Sequence, residues 1–294
     1  NIIYANPTKE YSHVQLARAK DVDLLTFDSE CELKKISVYH PRAKLLLRLL
    51  VDDSGSECKL GEKFGIEFDD VKKLLSRAQS LDLNVVGISF HVGSNCKVKG
   101  AFRSAIETIN KVKIIIEEIG YKIEIIDIGG WFSGISTELF ISASEEINET
   151  LEKFNFNEEH GIKIIAEPGR FFSASSHTLV CNIIGYKEKI INGEKYYQYT
   201  INESIYGSFN CIPNDHAIPE FLPYNERNEK TYKSIIFGNT CDSHDTIARD
   251  IYLPKLEVGD FIYVKNMGAY TLTSRSNFNG FDYTHSYYIE TLGT

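Results

Sequence analysis

Short apolar runs alternate with amphipathic segments from the start of the chain to about residue 172. Apolar runs that stop abruptly at glycine or at a polar residue are typical of buried parallel strands. Amphipathic helices are predicted between these runs, so the pattern indicates a parallel sheet with helices packed outside it. The predicted strands cover residues 2–5, 23–27, 44–51, 84–91, 123–129 and 162–167.

Two of the predicted helices have clear boundary signals. In residues 101–120 apolar side chains recur every three or four positions, and Gly120 supplies a C-terminal stop. Ser142 and Glu145 have the spacing of a capping box, so another helix is predicted to begin there. Helices and strands together predict an α/β fold made of successive β-α units.

The number of these units bears on the architecture, because a (β/α)8 TIM barrel needs eight and six are visible. The chain begins with Asn1 directly inside a strand-like run, so we expect residues upstream of it, including the first two barrel strands. Residues 1–172 then form a barrel domain that carries strands 3–8. The loops after strands 7 and 8, where such barrels commonly hold phosphate, fall within this domain.

Beyond Phe172 the helical periodicity fades and β-rich runs take over. Asn192-Gly193 lies between two such runs and is the signal of a type I′ hairpin. We therefore predict a second, mostly antiparallel β domain over residues 173–294. Its predicted strands are Thr178–Ile184, Tyr196–Ile201, Ser234–Phe237, Asp260–Lys265 and Tyr287–Thr291.

Composition narrows the range of partners and compartments. A net charge of −9 without any basic run argues against nucleic acid. No apolar stretch approaches the roughly 18–20 residues that cross a bilayer, so no membrane partner is expected. The six cysteines are far apart, without CxxC spacing or Cys/His clusters, which argues against a structural zinc site and a disulfide framework. We expect reduced thiols, a cytoplasmic location and no bound metal.

Two glycine-containing stretches, Ile126–Phe132 and Ile164–Arg170, end the last two predicted strands of the barrel domain. Each loop would bring backbone N–H groups to one point, and Arg170 adds a guanidinium. Converging N–H groups suit an anion such as phosphate, and glycine permits the close approach. The alternative is a pair of tight turns without a ligand.

Charged and polar side chains stand at the ends of the predicted barrel strands. Arg48 interrupts the apolar run of residues 45–51, and a charge inside such a run must be paired or functional. His91 and Glu167 each end another strand, and groups in these places of a barrel indicate an active site. The alternatives are a satisfied core histidine and a structural ion pair between Arg48 and Glu167.

The second domain contains three polar clusters, which together predict an acidic lining suited to a cationic substrate. The clusters are Tyr206–Cys211 with Asn214–Ala217, Gly238–Asp245, and Asn266–Thr271. The alternative is that their members are ordinary structural residues, namely solvated turn acids, a buried thiol and a core tyrosine. The residues concerned are Asp215, Asp242, Cys241 and Tyr270.

Long motifs in the same order make the chain similar to the ornithine decarboxylase family, which belongs to the alanine-racemase-like (fold type III) pyridoxal-phosphate enzymes. The first domain carries YANP, TFDSE, SFHVGS, DIGG and EPGR, at Tyr4–Pro7, Thr26–Glu30, Ser89–Ser94, Asp127–Gly130 and Glu167–Arg170. The second carries YGSFNC, NDHA, TCDSHD and NMGAYT. The resemblance covers essentially the whole chain. It implies pyridoxal-phosphate-dependent decarboxylation of L-ornithine to putrescine and CO2, the first step of polyamine biosynthesis.

The resemblance also implies how single residues would bind the cofactor. His91 would stack on the pyridine ring, and Glu167 would face the ring nitrogen and keep it protonated, which makes the ring an electron sink. Arg48 would lie near the cofactor and Glu167. The cofactor phosphate would be held by Ser94, Gly129, Gly130, Gly169, Arg170 and Tyr270.

On the substrate side, the resemblance implies that Asp215 and Asp242 bind the distal ammonium of ornithine, two acids for one cation. Tyr206 would belong to the same substrate site. Cys241 would come from the partner subunit and deliver a proton after CO2 departs.

The family forms head-to-tail homodimers with two shared active sites. The resemblance implies that Lys63 would pair with Asp245 across that interface. The regulatory protein antizyme is a further expected partner, and residues 9–42 correspond to the region that the family uses for it.

Three features depart from the family pattern. The Schiff-base lysine and an acid of the second strand would lie upstream of Asn1. Trp131 replaces the third glycine of the phosphate loop, and we expect it to adopt negative φ, with its ring turned away and its N–H available. Asn214 replaces an aromatic residue beside the substrate acid.

Two other functions compete with this interpretation. One is a catalytically inactive regulator like the antizyme inhibitors, which Trp131 favours. The other is a decarboxylase of another basic amino acid, lysine or diaminopimelate.

Overall fold

The six strands predicted in the first part of the chain form one sheet, in which the strands follow their order in the sequence. The computed structural model describes residues 2–96, 98–225 and 230–290. It divides into two compact units, residues 1–171 and residues 172–294. Among the described residues, no helix combines the length and the hydrophobicity that crossing a membrane requires.

The first unit alternates strands and helices. Its strands are β1 (Ile3–Tyr4), β2 (Leu24–Phe27), β3 (Lys44–Arg48), β4 (Asn84–Ser89), β5 (Ile125–Asp127) and β6 (Lys163–Ile165). Its helices are α1 (Tyr11–Ala19), α2 (Glu30–Tyr39), α3 (Val71–Ser80), α4 (Ala101–Ile119) and α5 (Thr137–Lys153), and a short helix α6 (Gly169–Ser173) follows β6. Each neighbouring pair of strands is parallel. The predicted α/β class is therefore confirmed.

The core of this unit lies between the sheet and its helices. Three consecutive leucines of β3, residues 45–47, are fully buried, as expected of a parallel strand covered on both faces. Helix α3 buries one apolar face, made of Val71, Leu74, Leu75 and Ala78. Burial of one leucine side chain contributes about 1.5–3 kcal/mol, so this packing fixes the strands and the loops that follow them.

Helix boundaries were predicted with mixed success. Gly120 ends α4 with φ of +98°, and its N–H donates to the carbonyl oxygen of Glu117, so this stop is confirmed. The helix start predicted at Ser142 is wrong, because α5 already begins at Thr137. Ser136 precedes it and accepts a hydrogen bond from the N–H of Leu139 at 3.2 Å. This earlier serine satisfies the capping requirement, and Ser142 lies exposed within the helix.

The second unit contains a six-stranded sheet in the order β11-β10-β8-β7-β12-β9. The strands are β7 (Leu179–Ile191), β8 (Glu194–Ile201), β9 (Leu222–Pro223), β10 (Thr231–Phe237), β11 (Thr246–Pro254) and β12 (Phe261–Val264), and a short helix α7 covers Cys211–Asp215. All its strand pairs are antiparallel except β8 and β10, which are parallel, so the sheet is mixed. Asn192 and Gly193 both have positive φ between β7 and β8, as the predicted type I′ turn requires.

Strand predictions in this unit failed at β9, at β11 and at residues 287–290. Strand β11 was missed because Arg249 and Asp250 interrupt its apolar pattern, and its pairing with β10 is irregular. Asp250 has φ of +56°, which marks the distortion. The strand predicted at Tyr287–Thr291 is wrong for residues 287–290, which form coil, and Thr291 lies outside the described residues.

Candidate active site

The polar groups of the first unit gather at one edge of its sheet. Arg48, Ser89 and Asp127 are the last residues of β3, β4 and β5, and Glu167 lies two residues beyond β6. Because these strands are parallel, their carboxyl ends lie at the same edge. Ligands of open α/β sheets and of barrels bind at this edge.

Arg48 is the buried cation of this edge, with 7% of its surface exposed. Burial lowers the pKa of its guanidinium, while the carboxylates of Glu167, Asp127 and Asp28 act in the opposite direction. Within the described residues, its side chain makes neither a hydrogen bond nor an ion pair at contact distance. The alternative of a structural ion pair between Arg48 and Glu167 therefore lacks the close contact it would need.

Asp127 and Glu167 form a pair of neighbouring carboxyl groups. Oδ1 of Asp127 accepts a hydrogen bond from the N–H of Gly129 at 3.0 Å, and Oδ2 is buried without a hydrogen-bond donor in the described part of the chain. Burial, and then the charge of Glu167, raise the pKa of Asp127. Two ionised carboxylates cannot donate a hydrogen bond to each other, so this pair is suited to accept a hydrogen bond from a bound group that carries a proton.

The two glycine loops lie side by side, as predicted from the sequence. The N–H of Glu167 donates to the carbonyl oxygen of Gly129 at 2.7 Å and joins the loop after β5 to the loop after β6. A Cβ atom at Gly129 would lie 2.3 Å from the carbonyl oxygen of Phe90. A Cβ atom at Gly130 would lie 2.8 Å from Nε2 of His91 and 3.0 Å from the carbonyl oxygen of Glu167. Gly129 therefore leaves no room for a side chain, and a side chain at Gly130 would displace the ring of His91.

The backbone of the first glycine loop offers hydrogen-bond donors. Gly130 is buried, and in the described residues the N–H groups of Gly130 and Trp131 donate no hydrogen bond. Buried backbone N–H groups almost always have a partner. Successive unpaired amides of this kind suit an anion.

His91 is held beside this loop as a neutral imidazole. Its Nδ1 accepts a hydrogen bond from the N–H of Gly93 at 3.0 Å, so the ring proton of the neutral form lies on Nε2. Burial, and then the charge of Arg48, lower the pKa of His91 to about 4. The ring is therefore uncharged near pH 7, and its orientation is fixed by the chain that follows it.

Trp131 corrects one expectation from the sequence, because its φ is +67° and not negative. A left-handed conformation costs a bulky residue about 1–2 kcal/mol. The indole Nε1–H donates to the carbonyl oxygen of Cys96 at 3.0 Å, and the ring packs against the core cluster of the unit. It lines a cavity of about 110 Å³ together with Phe102 and Leu139. This hydrogen bond and the burial of the ring offset the cost of the backbone conformation.

The other residues predicted to hold the phosphate have different settings. Ser94 pairs through its backbone with Cys58, with hydrogen bonds of 3.0 and 3.2 Å. Gly169 and Arg170 begin α6, and a Cβ atom at Gly169 would meet no atom within 4 Å. Tyr270 belongs to the second unit, has φ of +54° and is 50% exposed, so the core-tyrosine alternative is wrong. The phosphate-binding role of these four residues stays a prediction.

In the second unit, Asp242 and Tyr206 are brought together. The hydroxyl of Tyr206 donates a hydrogen bond to Oδ2 of Asp242, and the N–H of His244 donates to Oδ1 at 3.0 Å. These bonds, that of His244 first, lower the pKa of Asp242 to about 2. Its side chain is 25% exposed, so the unit presents a fixed negative charge at its surface. Asp215 ends the short helix α7 and is half-buried.

Cys241 is exposed, so the alternative of a buried structural thiol is wrong. Its N–H and its Sγ lie 3.2 and 3.3 Å from Oδ1 of Asn279, which orients both the backbone and the thiol. A thiol in this setting is accessible for proton transfer.

The two residues predicted at a dimer interface differ in exposure. Lys63 is exposed, with its Nζ 5.0 Å from the ring centre of Phe64. Asp245 is only 2% exposed, and its carboxylate accepts hydrogen bonds from Thr240 and from the N–H of Ile205 within its own unit. Their pairing across an interface stays a prediction.

Sequence reasoning gave no role to several residues that lie beside the predicted site residues within each unit. Asp28 and Asp127 both act on Arg48, and each stands within a motif, TFDSE or DIGG, whose acid was a signal that could have been used. The hydroxyl of Ser89 is buried without a partner among the described residues, and Asn279 contacts Cys241. No local signal in the sequence singles out these last two.

The parallel sheet and the groups at its carboxyl edge define an α/β protein of the kind that binds an anionic cofactor at that edge. Residues 1–174 match the family model described as pyridoxal-dependent decarboxylase, pyridoxal binding domain. The chain therefore belongs to the pyridoxal-dependent decarboxylase family, which confirms the resemblance found in the motifs.

Similar proteins carry related names. Ornithine decarboxylase of Mus musculus is 41% identical over 98% of this chain, which spans 65% of the mouse protein. Antizyme inhibitor 2 of Xenopus laevis is 40% identical, with 98% of this chain and 65% of the frog protein covered. The arginine decarboxylase of Paramecium bursaria Chlorella virus, solved with agmatine bound, has a TM-score of 0.88 and 35% identity, and covers 96% of this chain and 76% of that structure.

Proposed function

We propose that the protein binds pyridoxal 5′-phosphate and decarboxylates L-ornithine to putrescine and CO2. The observation that carries the proposal is the junction of the two glycine loops at Gly129 and Glu167, beside the neutral ring of His91. The mouse relative named ornithine decarboxylase supports the choice of substrate. On this proposal the protein is a carboxy-lyase of polyamine biosynthesis.

The residues present fit this cofactor. The N–H groups of Gly130 and Trp131, which donate no hydrogen bond within the described part of the chain, suit a phosphate, and glycine leaves the space that a Cβ atom would fill. Among the described residues, Oδ2 of Asp127 is buried without a donor, and a protonated ring nitrogen beside Asp127 and Glu167 would supply one. Arg48 balances the charge of the acids.

When bound, pyridoxal phosphate supplies an electron sink for the electron pair that remains when the carboxylate departs as CO2. Glu167 would keep the ring nitrogen protonated, with Asp127 and Arg48 setting the charge around it. His91 is uncharged near pH 7 and would present its flat face to the ring. The phosphate would be held by Ser94, Gly129, Gly130, Gly169, Arg170 and Tyr270.

Residues of the second unit would recognise the substrate. The pKa of Asp242 is lowered to about 2, so Asp242 is charged near pH 7 and, with Asp215, would bind the distal ammonium of ornithine. Tyr206 holds Asp242 in place through its hydroxyl. The thiol of Cys241 would donate a proton to the substrate carbon that has lost its carboxylate.

The proposal includes the assembly and the location of the protein. Residues 1–172 would provide strands 3–8 of a pyridoxal-phosphate-binding (β/α)8 barrel, and residues 173–294 a C-terminal β domain with the substrate residues. Two copies would form a head-to-tail homodimer with shared active sites, in which Cys241 serves the partner's site and Lys63 pairs with Asp245. Antizyme binding and a cytoplasmic location are parts of the same proposal.

The test is release of CO2 from carboxyl-labelled L-ornithine by the full-length protein with pyridoxal phosphate added. We expect cofactor-dependent release that Gly130→Ala abolishes, because the new Cβ would lie 2.8 Å from His91. Gly185→Ala is the matched control, since a Cβ atom there meets no atom within 4 Å. No release by the wild-type protein, with no cofactor absorbance on it, would overturn the proposal.

Two other functions have support of their own. A regulator like the antizyme inhibitors is favoured by the frog relative and by the left-handed Trp131, and it predicts antizyme binding without any CO2 release. A decarboxylase of another basic amino acid is favoured by the similarity to the viral arginine enzyme. Release of CO2 from labelled L-lysine, diaminopimelate or L-arginine at a higher kcat/KM than from L-ornithine would establish that substrate.

A further inference from the structure

The side chain of Trp131 connects two loops that both belong to the candidate cofactor site. Its Nε1–H donates to the carbonyl oxygen of Cys96 at 3.0 Å, across 35 positions of the sequence. Cys96 ends the stretch that begins at His91 and contains Ser94, and Trp131 follows directly on Gly130. One hydrogen bond thus links the loop that carries His91 to the glycine loop.

The stretch from His91 to Cys96 is also held by hydrogen bonds to residues 56–58. Ser94 pairs with Cys58 through two backbone hydrogen bonds, and the hydroxyl of Ser56 donates to the carbonyl oxygen of Val92 at 2.6 Å. A Cβ atom at Gly93 would lie 2.7 Å from Cβ of Ser56, so this contact is close. Trp131 makes the hydrogen bond that holds this stretch on the side of the glycine loop.

The backbone of Trp131 shows that its position is imposed by its surroundings. Its φ of +67° is unusual for a large residue, and such conformations persist where several contacts determine them. The hydrogen bond to Cys96 and the packing of the indole against the core cluster are those contacts. The indole ring therefore has a fixed position between the two loops.

We propose that Trp131 is a positioning residue of the cofactor site. Its indole N–H holds the loop of His91 and Ser94 at a fixed distance from Gly130 before the cofactor arrives. Such preorganisation removes the ordering that binding would otherwise require, and so increases affinity. The role toward the cofactor rests on the proposed function, whereas the link between the loops does not.

Hydrogen exchange of the full-length, cofactor-free protein tests the link. Trp131→Phe keeps an aromatic ring and removes the donor, so the hydrogen-bonded amides of Gly93 and Ser94 should exchange about five- to tenfold faster, the loss expected for one hydrogen bond. Leu139→Ala is the matched control, because Leu139 lines the same cavity without taking part in the hydrogen bond. Equal exchange of these amides in wild type, Trp131→Phe and Leu139→Ala would overturn the link.

A second substitution keeps the shape of the side chain. Benzothienylalanine, in which sulfur replaces the indole N–H, can be introduced site-specifically at position 131. It should accelerate the same amides as Trp131→Phe does. Protection equal to wild type in this protein would show that packing, and not the hydrogen bond, holds the loop, and would overturn the link even if Trp131→Phe fails to fold.

Equilibrium dialysis with pyridoxal phosphate tests the positioning role. We expect a Kd about five- to tenfold higher in Trp131→Phe than in wild type, and an unchanged Kd in Leu139→Ala. An unchanged Kd in Trp131→Phe would overturn the positioning role. No binding by the wild-type protein, with accelerated exchange in Trp131→Phe, would instead overturn the proposed function and leave the link between the loops standing.

Discussion

Asp127 accepts a hydrogen bond of 3.0 Å from the N–H of Gly129, so the last residue of β5 holds the first glycine of the loop that follows it. The other carboxylate oxygen of Asp127 is buried without a donor among the described residues. Burial is the larger cause of the raised pKa of Asp127, and the charge of Glu167 is the second. The conformation of the loop is therefore held by a carboxyl group whose ionised form is disfavoured by its surroundings.

Asp127→Asn should stabilise the cofactor-free protein at alkaline pH. A raised pKa means that protonated Asp127 stabilises the fold below its ordinary pKa of 3.8, and this contribution is lost as the pH rises through the raised value. Asparagine stays neutral and still accepts from the N–H of Gly129. We expect a gain of about 1–2 kcal/mol in the free energy of unfolding at pH 8 and no gain at pH 3. Urea unfolding at both pH values measures it, and a variant less stable than wild type at pH 8 would contradict the assignment.

His91→Asn should change the acid side of the stability profile. The pKa of His91 is about 4 in the fold and 6.5 ordinarily, so the unfolded chain binds the proton first. The contribution of His91 to stability is therefore complete above pH 6.5 and is lost as the pH falls from 6.5 to about 4, by up to about 3 kcal/mol. Asparagine can accept the same hydrogen bond from Gly93 and does not titrate.

The raised pKa of Asp127 acts with the opposite sign over part of this range. The informative quantity is therefore the difference between wild type and His91→Asn in the free energy of unfolding, measured with urea at pH 4, 5.5 and 7. A difference that stays constant over these values would show that His91 is not held neutral.

Cys241→Ala should separate catalysis from cofactor binding. The exposed thiol is the proposed proton donor, and loss of such a donor lowers rates by about 10²–10⁴. We expect putrescine formation to fall by at least about 100-fold while the Kd for pyridoxal phosphate stays within a factor of two. Equal loss of both would show that Cys241 supports the structure of the site and does not transfer the proton.

Asp242→Asn should raise the KM for L-ornithine and leave cofactor affinity unchanged. Removing one of the two negative charges proposed to bind the distal ammonium should raise KM about 10- to 100-fold. Asp250→Asn makes the same chemical change on β11, where Asp250 pairs with Lys233, and should leave KM unchanged. A KM that responds equally to both substitutions would remove Asp242 from the substrate site.

The fluorescence of Trp131 should report cofactor binding. It is the single tryptophan of residues 1–294 and lies next to Gly130, so in a protein of these residues a bound pyridine ring that absorbs indole emission will quench it. Pyridoxal phosphate should quench the emission with saturation, and pyridoxal, which lacks the phosphate, should require a much higher concentration. Saturating quenching at equal concentrations of both compounds would show that the loop does not bind the phosphate.

The strands of the first unit could be predicted because each is a compact apolar run bounded by polar residues or glycine, as in residues 44–51. The glycine loops could be predicted for the same reason. Strand β11 could not, since its apolar pattern is broken by Arg249 and Asp250 and its pairing depends on the distant strand β10. Parallel pairing of β8 and β10 is likewise a property of the folded sheet and leaves no signal in either strand.

Within the candidate site, residue types revealed the polar groups and left their electrostatic relationships hidden. The charge of Glu167 raises the pKa of Asp127, and His91 is neutral near pH 7. Both effects depend on burial and distance, which no motif encodes. Trp131 shows the limit most clearly, because steric preference predicts negative φ and a hydrogen bond to Cys96 reverses it. Such overrides come from contacts between residues far apart in the sequence.

The sequential order of the strands has a consequence for folding of the protein during its synthesis. Among the described residues, each strand of the first unit pairs only with strands adjacent to it in the sequence, so these β-α units can join the sheet one at a time as the nascent chain leaves the ribosome. The hydrogen bond between Glu167 and Gly129 can form only after β6 has joined the sheet. A chain synthesised only as far as α5 therefore has a growing core without the junction of the two glycine loops, so the cofactor site can be completed only after β6 has been made.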